Sequence, residues 1–335
     1  MHSAAQAWFG THTHAAADFP AAGLAVAKAA AGSRVSVVIP ARDEAGTVAG
    51  VVGQIADALV PAGLVDELVV IDSDSADDTA ARARAAGATV YAAREIETGQ
   101  PPVPGKGEAL WKSLFVTTGD LLVFIDADLT DWGPHFVTGL LGPLLAGPGV
   151  QLVKGFYDRL ADDLPGAAAA VPQGGRVTEL CARPLLNLYW PELAAVVQPL
   201  AGEWAIRRAL FESLPVPVGY GVEFATLTDT HRRHGLSAIA QVDLGRRGHR
   251  HQAVHDLGVM AAEILATAMR RLPGGLRPDE PAGMLSQYDR SGQHDRSSPD
   301  GWRHRVVPTL ERPPAVRDAH YARRSEPGRE VRCCG

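Results

Sequence analysis

Three short apolar runs, Val35-Ser-Val-Val-Ile39, Glu67-Leu-Val-Val-Ile71 and Leu121-Leu-Val-Phe-Ile125, each stop at a polar loop and alternate with segments of helical spacing. Apolar, β-branched runs of this length read as strands buried on both faces, and strands that alternate with helices pack as a mostly parallel sheet between helical layers. The first helix follows Thr47, where Val48, Val51, Val52, Ile55, Ala56 and Leu59 recur until Pro61 and Gly63 end the pattern. A second covers Thr79 to Ala86 and is closed by Gly87, and a third opens at Gly105-Lys-Gly-Glu108 and runs to about Val116. Val90 and Tyr91 suggest one more strand, Val150 to Phe156 another, and Ser237 to Val242 a further one. Helices are expected over Val177 to Tyr189 and Val254 to Met269. In an α/β sheet of this kind ligands bind at the carboxyl ends of the strands, so the loops after Ile39, Ile71 and Ile125 are expected to meet in space.

The organisation divides into an Ala-rich lead (1–32), an α/β part (33–150), a second part (151–272) and a Pro- and Arg-rich extended tail (273–335). Seven prolines between Pro278 and Pro327 argue against a regular domain in that tail, although some of it can dock on the body. Ala161 to Gly175 is dense in Ala, Gly and Pro and reads as a long loop, of a kind that is often mobile or functional. The formal net charge of −6 argues against a nucleic-acid or acidic-membrane partner and for a small molecule. Three cysteines, Cys181, Cys333 and Cys334, make neither a disulfide framework nor a structural zinc site, which fits a reducing cytoplasm. No signal peptide and no membrane-spanning run is expected.

Asp126-Ala-Asp128 is the sharpest local signal, because two carboxylates just past a buried strand can meet a hard divalent cation that holds a diphosphate. The bland alternative is a turn or a helix cap. Lys106, one of four lysines, lies between two glycines where backbone can approach a ligand closely, or else is an exposed lysine at a helix start. Gly107 in place of Ser or Thr rejects a P-loop. Gly174-Gly175-Arg176-Val-Thr178 precedes a helix and can gather N–H groups, a guanidinium and a hydroxyl around an anion, or Thr178 is an ordinary cap. His249 and His251 are not a zinc signature, but His249 becomes a metal ligand if the fold brings it to Asp128. Glu223 either faces a sugar or caps the helix that follows it.

Taken in order, VSVVIPARDEAGTV, DELVVIDSDSADDT, PGKGEALWKSL, GDLLVFIDADL, VQLVKGFY, GGRVTELCARPLL, QPLAGEWA, GYGVE and IAQVDLGRRGHRH resemble the glucosyl-3-phosphoglycerate synthases of actinobacteria, with LSQYDR and ERPP similar to that family's tail. The resemblance implies a GT-A fold, whose 33–150 part binds the nucleotide sugar and whose 151–272 part binds the acceptor. The implied reaction is retaining transfer of glucose from UDP-glucose to the 2-hydroxyl of 3-phosphoglycerate, with a divalent metal, Mg²⁺ or Mn²⁺, in a cytoplasmic homodimer. It assigns Pro40, Ala41, Arg42, Glu44, Ser73, Lys106 and Asp126 to the nucleotide sugar, chiefly its uridine half, Asp128 and His249 to the metal, and Gly175, Arg176 and Thr178 to the acceptor. Leu200, Tyr220 and Glu223 would line the sugar, with Glu223 and Asp128 as the catalytic pair. His251 stands near the acceptor where relatives usually have Asn, and Ala127 stands where Ser is common. A related transferase using GDP-mannose or another acceptor, and an idle nucleotide-binding protein, are the alternative readings.

Overall fold

The computed structural model describes residues 2–161, 175–249, 254–275, 283–288 and 302–324. The strands are β1 (Thr13–Ala15), β2 (Val35–Ala41), β3 (Glu67–Asp72), β4 (Thr89–Ala92), β5 (Leu121–Phe124), β6 (Leu152–Ala161), β7 (Trp204–Arg207), β8 (Val216–Pro217), β9 (Ile239–His249), β10 (Gly283–Tyr288), β11 (Trp302–Val307) and β12 (Glu311–Arg312). The helices are α1 (Ser3–His12), α2 (Ala21–Ala31), α3 (Val48–Ala58), α4 (Thr79–Ala85), α5 (Lys106–Val116), α6 (His135–Ala146), α7 (Arg183–Tyr189), α8 (Arg208–Phe211), α9 (Val222–His234), α10 (Val254–Arg271) and α11 (Ala319–Arg324).

Eight strands form one sheet in the order β1-β9-β6-β7-β5-β2-β3-β4, parallel throughout except for β7, which is antiparallel to both of its neighbours. Alternation along the strands sorts their side chains into two cores: Leu121, Val123 and Ile125 join one, Leu122 and Phe124 the other. The first core also takes Val51, Val52, Ile55, Leu140 and Leu141 from α3 and α6, while the second takes Leu110, Leu114, Phe224 and Leu227 from α5 and α9. The sheet therefore has the expected helical layer on each face, and β6, β7 and β9 from the 151–272 part lie in the same sheet as β2 to β5.

Several sequence expectations are corrected. In the Ala-rich lead, to which the sequence assigns no element, β1 pairs with β9, and the Trp8 indole N–H donates to the Ile239 carbonyl at 2.8 Å. β6 runs on to Ala161 and β9 to His249, because the two pair with each other beyond the segments whose apolar pattern marks them as strands. The tail holds regular elements. β10 and β11 form an antiparallel pair, β12 pairs with β8, and Ala315 and Tyr321 are buried in the core shared with α5. Cys333 and Cys334 lie outside the described residues.

Candidate functional site

The loops after β2 and β3 are fastened to each other. Asp43 and Asp74 both take left-handed backbone, with φ of 56° and 58°, a conformation that Asp tolerates better than most residues. The Asp43 carboxylate accepts from the Ala76 N–H at 2.7 Å, while the Asp43 N–H donates to Ser75 Oγ at 2.9 Å and the Glu44 N–H to Thr79 Oγ1 at 2.8 Å. Ser73 N–H donates to the Ala41 carbonyl at 2.8 Å, closing the base of the pair. Pro40, Ala41, Arg42, Glu44 and Ser73 thus come together on one rigid ledge, with Ala41 buried and the Arg42 guanidinium exposed.

The Asp-Ala-Asp segment follows β5 directly, and its first carboxylate is the meeting point of two cations. Lys106 Nζ lies 2.7 Å from Asp126 Oδ1 and 2.9 Å from Glu223 Oε1, and Arg247 lies 3.5 Å from Asp126 and 2.7 Å from Asp128. Burial opposes the charge on Lys106, yet Asp126 and Glu223 hold its ammonium well above the ordinary lysine range. Gly202 permits this convergence, since a Cβ there would overlap the Asp126 carboxylate.

The glycines around Lys106 serve a purpose other than close approach to a ligand. The Glu108 N–H donates to the Val218 carbonyl at 2.9 Å, and a Cβ on Gly107 would overlap the Pro217 carbonyl oxygen. The start of α5 is thereby pressed against residues 217–219, which lead into α9. Lys106 and Glu223 meet because these two helix starts are packed backbone to backbone. Tyr220 is held from α10, where the buried Glu263 accepts its N–H at 2.6 Å, and burial pushes the Glu263 carboxyl up.

Four buried residues around this cluster carry no role in the sequence reading. Arg247 also lies 2.9 Å from Glu203 Oε1, donates to Tyr157 Oη at 2.9 Å and sits 5.5 Å from the centre of the Tyr157 ring, while Tyr157 donates to Glu203 Oε2 at 2.6 Å. Burial pushes the Glu203 carboxyl up against the pull of Arg247, and the carboxylates keep Arg247 well above its ordinary value despite its burial. Tyr157 and Glu203 stand in the VKGFY and QPLAGEWA stretches as strand and loop residues, and in GRRGHRH the histidines drew the attention that Arg247 warranted.

The fourth is Lys154, whose ammonium donates to the Ala201 carbonyl at 2.7 Å and lies 5.6 Å from the Trp204 ring. Burial pushes it down to about 8, against the pull of the Glu223 carboxylate. The unfolded chain keeps this proton up to the ordinary lysine range while the folded chain releases it from about 8, so the unfolded state binds more protons between the two and stability rises with pH there. Wild-type protein should gain stability over Lys154→Met above that pH, by at most about 1.4 kcal/mol per pH unit. Urea unfolding of both proteins across the interval checks it, and parallel stability curves would contradict the assignment.

Gly175, Arg176 and Thr178, which the resemblance assigns to the acceptor, stand at the start of one helix. Gly175 has φ of 72° and accepts the Glu179 N–H at 2.8 Å, so the helix begins at Arg176. Thr178 is therefore inside the helix rather than its cap, buried at the start of a π-helical stretch (Thr178–Ala182) that continues into α7. Arg176 is exposed, and Leu200 is half-buried against the core. Gly174 and His251 lie outside the described residues.

His249 ends β9, and the neighbouring Gly248 N–H donates to the Thr130 carbonyl at 3.0 Å, which brings the backbone of His249 beside the Asp-Ala-Asp loop. Among the described residues no group of three or more His, Cys, Asp or Glu side chains gathers as a complete metal site. The partly exposed Asp128 offers the hard carboxylate oxygen that a divalent cation takes. No helix among the described residues is long and apolar enough to cross a membrane.

Residues 36–163 match the glycosyl transferase family 2 profile. The glucosyl-3-phosphoglycerate synthase of Mycobacterium tuberculosis (strain ATCC 25618 / H37Rv) is 49% identical over 290 residues, which cover 85% of this chain and 86% of that protein. The crystal structure of the Mycobacterium tuberculosis synthase with Mn²⁺ and UDP-glucose superposes with a TM-score of 0.75 at 45% identity, covering 89% of this chain and 95% of that one. The structure of the same synthase with Mn²⁺, UDP and glucosyl-3-phosphoglycerate gives a TM-score of 0.75 at 44% identity over the same shares.

Proposed function

The chain belongs to the glucosyl-3-phosphoglycerate synthases, and from that premise we infer that it transfers glucose from UDP-glucose to the 2-hydroxyl of 3-phosphoglycerate, giving glucosyl-3-phosphoglycerate and UDP. The observation that carries this reading is the convergence of Lys106, Asp126 and Glu223 at the carboxyl ends of the strands of a mostly parallel GT-A sheet.

The residue roles follow from position. The fastened loops carrying Pro40, Ala41, Arg42, Glu44 and Ser73, together with Lys106 and Asp126, receive the nucleotide sugar, chiefly its uridine half. Leu200, Tyr220 and Glu223 line the glucose. Asp128 and His249 hold a divalent cation, Mg²⁺ or Mn²⁺, which when bound supplies positive charge against the departing diphosphate. Gly175, Arg176, Thr178 and His251 hold the acceptor and fix its hydroxyl against the anomeric carbon.

Glu223 is engaged by the Lys106 ammonium at 2.9 Å, which supports a positioning role over that of a strong base. Transfer on one face of the sugar then needs no protein base. The bond from the anomeric carbon to the diphosphate breaks, the bond to the acceptor oxygen forms, and the acceptor's proton passes to the leaving phosphate. The family resemblance supports a cytoplasmic homodimer, and the exposed Met284, Tyr288, Trp302 and Val306 of the β10–β11 pair offer apolar surface to a second copy.

UDP release from UDP-glucose should require 3-phosphoglycerate and stop with EDTA, and added Mg²⁺ or Mn²⁺ should restore it. UDP binding without release would reject this donor and acceptor pair and favour GDP-mannose, another acceptor or an idle relative.

A further inference from the structure

Glu311 and Arg312, from the ERPP stretch of the tail, each enter an ion network on a different helix of the site. The Arg312 guanidinium makes a two-point contact with Glu108, Nε to Oε2 at 2.5 Å and Nη2 to Oε1 at 2.8 Å, and Nη2 also donates to the Pro101 carbonyl at 2.6 Å. Both partners of this pair are almost wholly buried, and the guanidinium lies 5.4 Å from the centre of the Trp111 ring. The Trp111 indole N–H donates to the Pro313 carbonyl at 3.0 Å, adding a second link to the same helix, α5. Glu108 is two residues from Lys106.

Glu311 faces the other way. Its carboxylate lies 2.7 Å from Arg271 at the end of α10, and Arg271 lies 2.8 Å from the buried Asp229 of α9, the helix that carries Glu223. Between the two networks β12 pairs with β8 in the register Glu311 to Pro217 and Arg312 to Val216, and the Val218 N–H donates to the Leu310 carbonyl at 3.1 Å. β8 leads straight into the residues that press on Gly107 and on to Glu223.

We propose that Glu311 and Arg312 are positioning residues of the donor site, a strap from the tail that fixes the start of α5 against α9 and so sets how Lys106 and Glu223 face the nucleotide sugar. A buried two-point guanidinium–carboxylate contact suits this because it defines orientation as well as distance. The proposal rests on the glucosyl-transfer reading. It separates two halves of the site, since the loops after β2 and β3 that receive the nucleotide are fastened to each other and not to β12.

The test is Arg312→Lys, which keeps the charge and loses the two-point geometry, assayed in the full-length chain beside wild type. The kcat per UDP-binding site should fall about tenfold or more, well beyond any fall in UDP affinity by calorimetry. A purely structural role would reduce the number of binding sites and leave kcat per site unchanged, and that result overturns the proposal, as does a parallel loss of UDP affinity and kcat. If Arg312→Lys does not fold, Glu311→Gln is judged in the same way, with a threefold or greater fall in kcat expected and full kcat overturning. Wild-type protein that transfers no glucose would overturn the reading beneath and the strap with it. An active wild type with an equally active variant overturns the strap alone.

Discussion

Asp128→Ala should lower turnover about a thousandfold or more while leaving the fold nearly as stable as wild type. On the proposed reading its carboxylate would help hold a divalent cation, and a thousandfold loss of turnover corresponds to about 4 kcal/mol of barrier. The stability cost is small because Asp128 is partly exposed, with 34% of its side chain accessible, and because Arg247 keeps its bonds to Glu203 and Tyr157 when Asp128 is gone. Steady-state UDP release set beside urea unfolding separates the two effects. Turnover within tenfold of wild type would remove Asp128 from the metal site, and a large drop in the unfolding midpoint would recast it as a structural partner of Arg247.

Arg247→Met should do the reverse to stability. Only 5% of the Arg247 side chain and none of the Glu203 side chain are exposed, so the substitution leaves a buried carboxyl without its cation and takes the same cation from Asp128, while Asp126 keeps Lys106. Removing one partner of such a pair costs about 3–5 kcal/mol, since the remaining charge has neither water nor a counter-ion. Glu203→Gln in the same chain should recover most of that loss, because the neutral amide takes the carboxyl's place without its charge, but it should not recover turnover, because Asp126 and Asp128 still lack the group that aligns them. Urea unfolding of the single and double variants forms the decisive comparison. A loss below about 1 kcal/mol for Arg247→Met would mean that water or another cation reaches Glu203.

The reach of the sequence follows from what each signal depends on. β2, β3 and β5 are legible because each is buried on both faces and its own residues say so, and α3 is legible because Val48, Val51, Val52 and Ile55 recur on one face. β1 and β12 are not legible, being strands of three and two residues defined by partners more than ninety positions away. In the site, Lys106 and the Asp-Ala-Asp pair stand out because their surroundings in the chain are unusual. Arg247, Glu203 and Tyr157 stand in ordinary surroundings, and what makes them a unit is the pairing of β6 with β9 and of β6 with β7. Gly105 and Gly107 teach the same lesson from the other side: their spacing signals close approach, but only the fold tells that the approaching group is residues 217–219 rather than a ligand.

The pairing of β1 with β9 sets a timetable for synthesis. Thr13 pairs with Gln241, and the two are bonded through their side chains across 228 positions of sequence. At roughly 5–20 residues per second, β1 leaves the ribosome about ten to fifty seconds before its partner strand exists. Through that interval β1 has no strand to pair with and the Trp8 indole lacks its Ile239 acceptor, so a chaperone that shields nascent apolar segments should engage this protein early and let go only after β9 has been made.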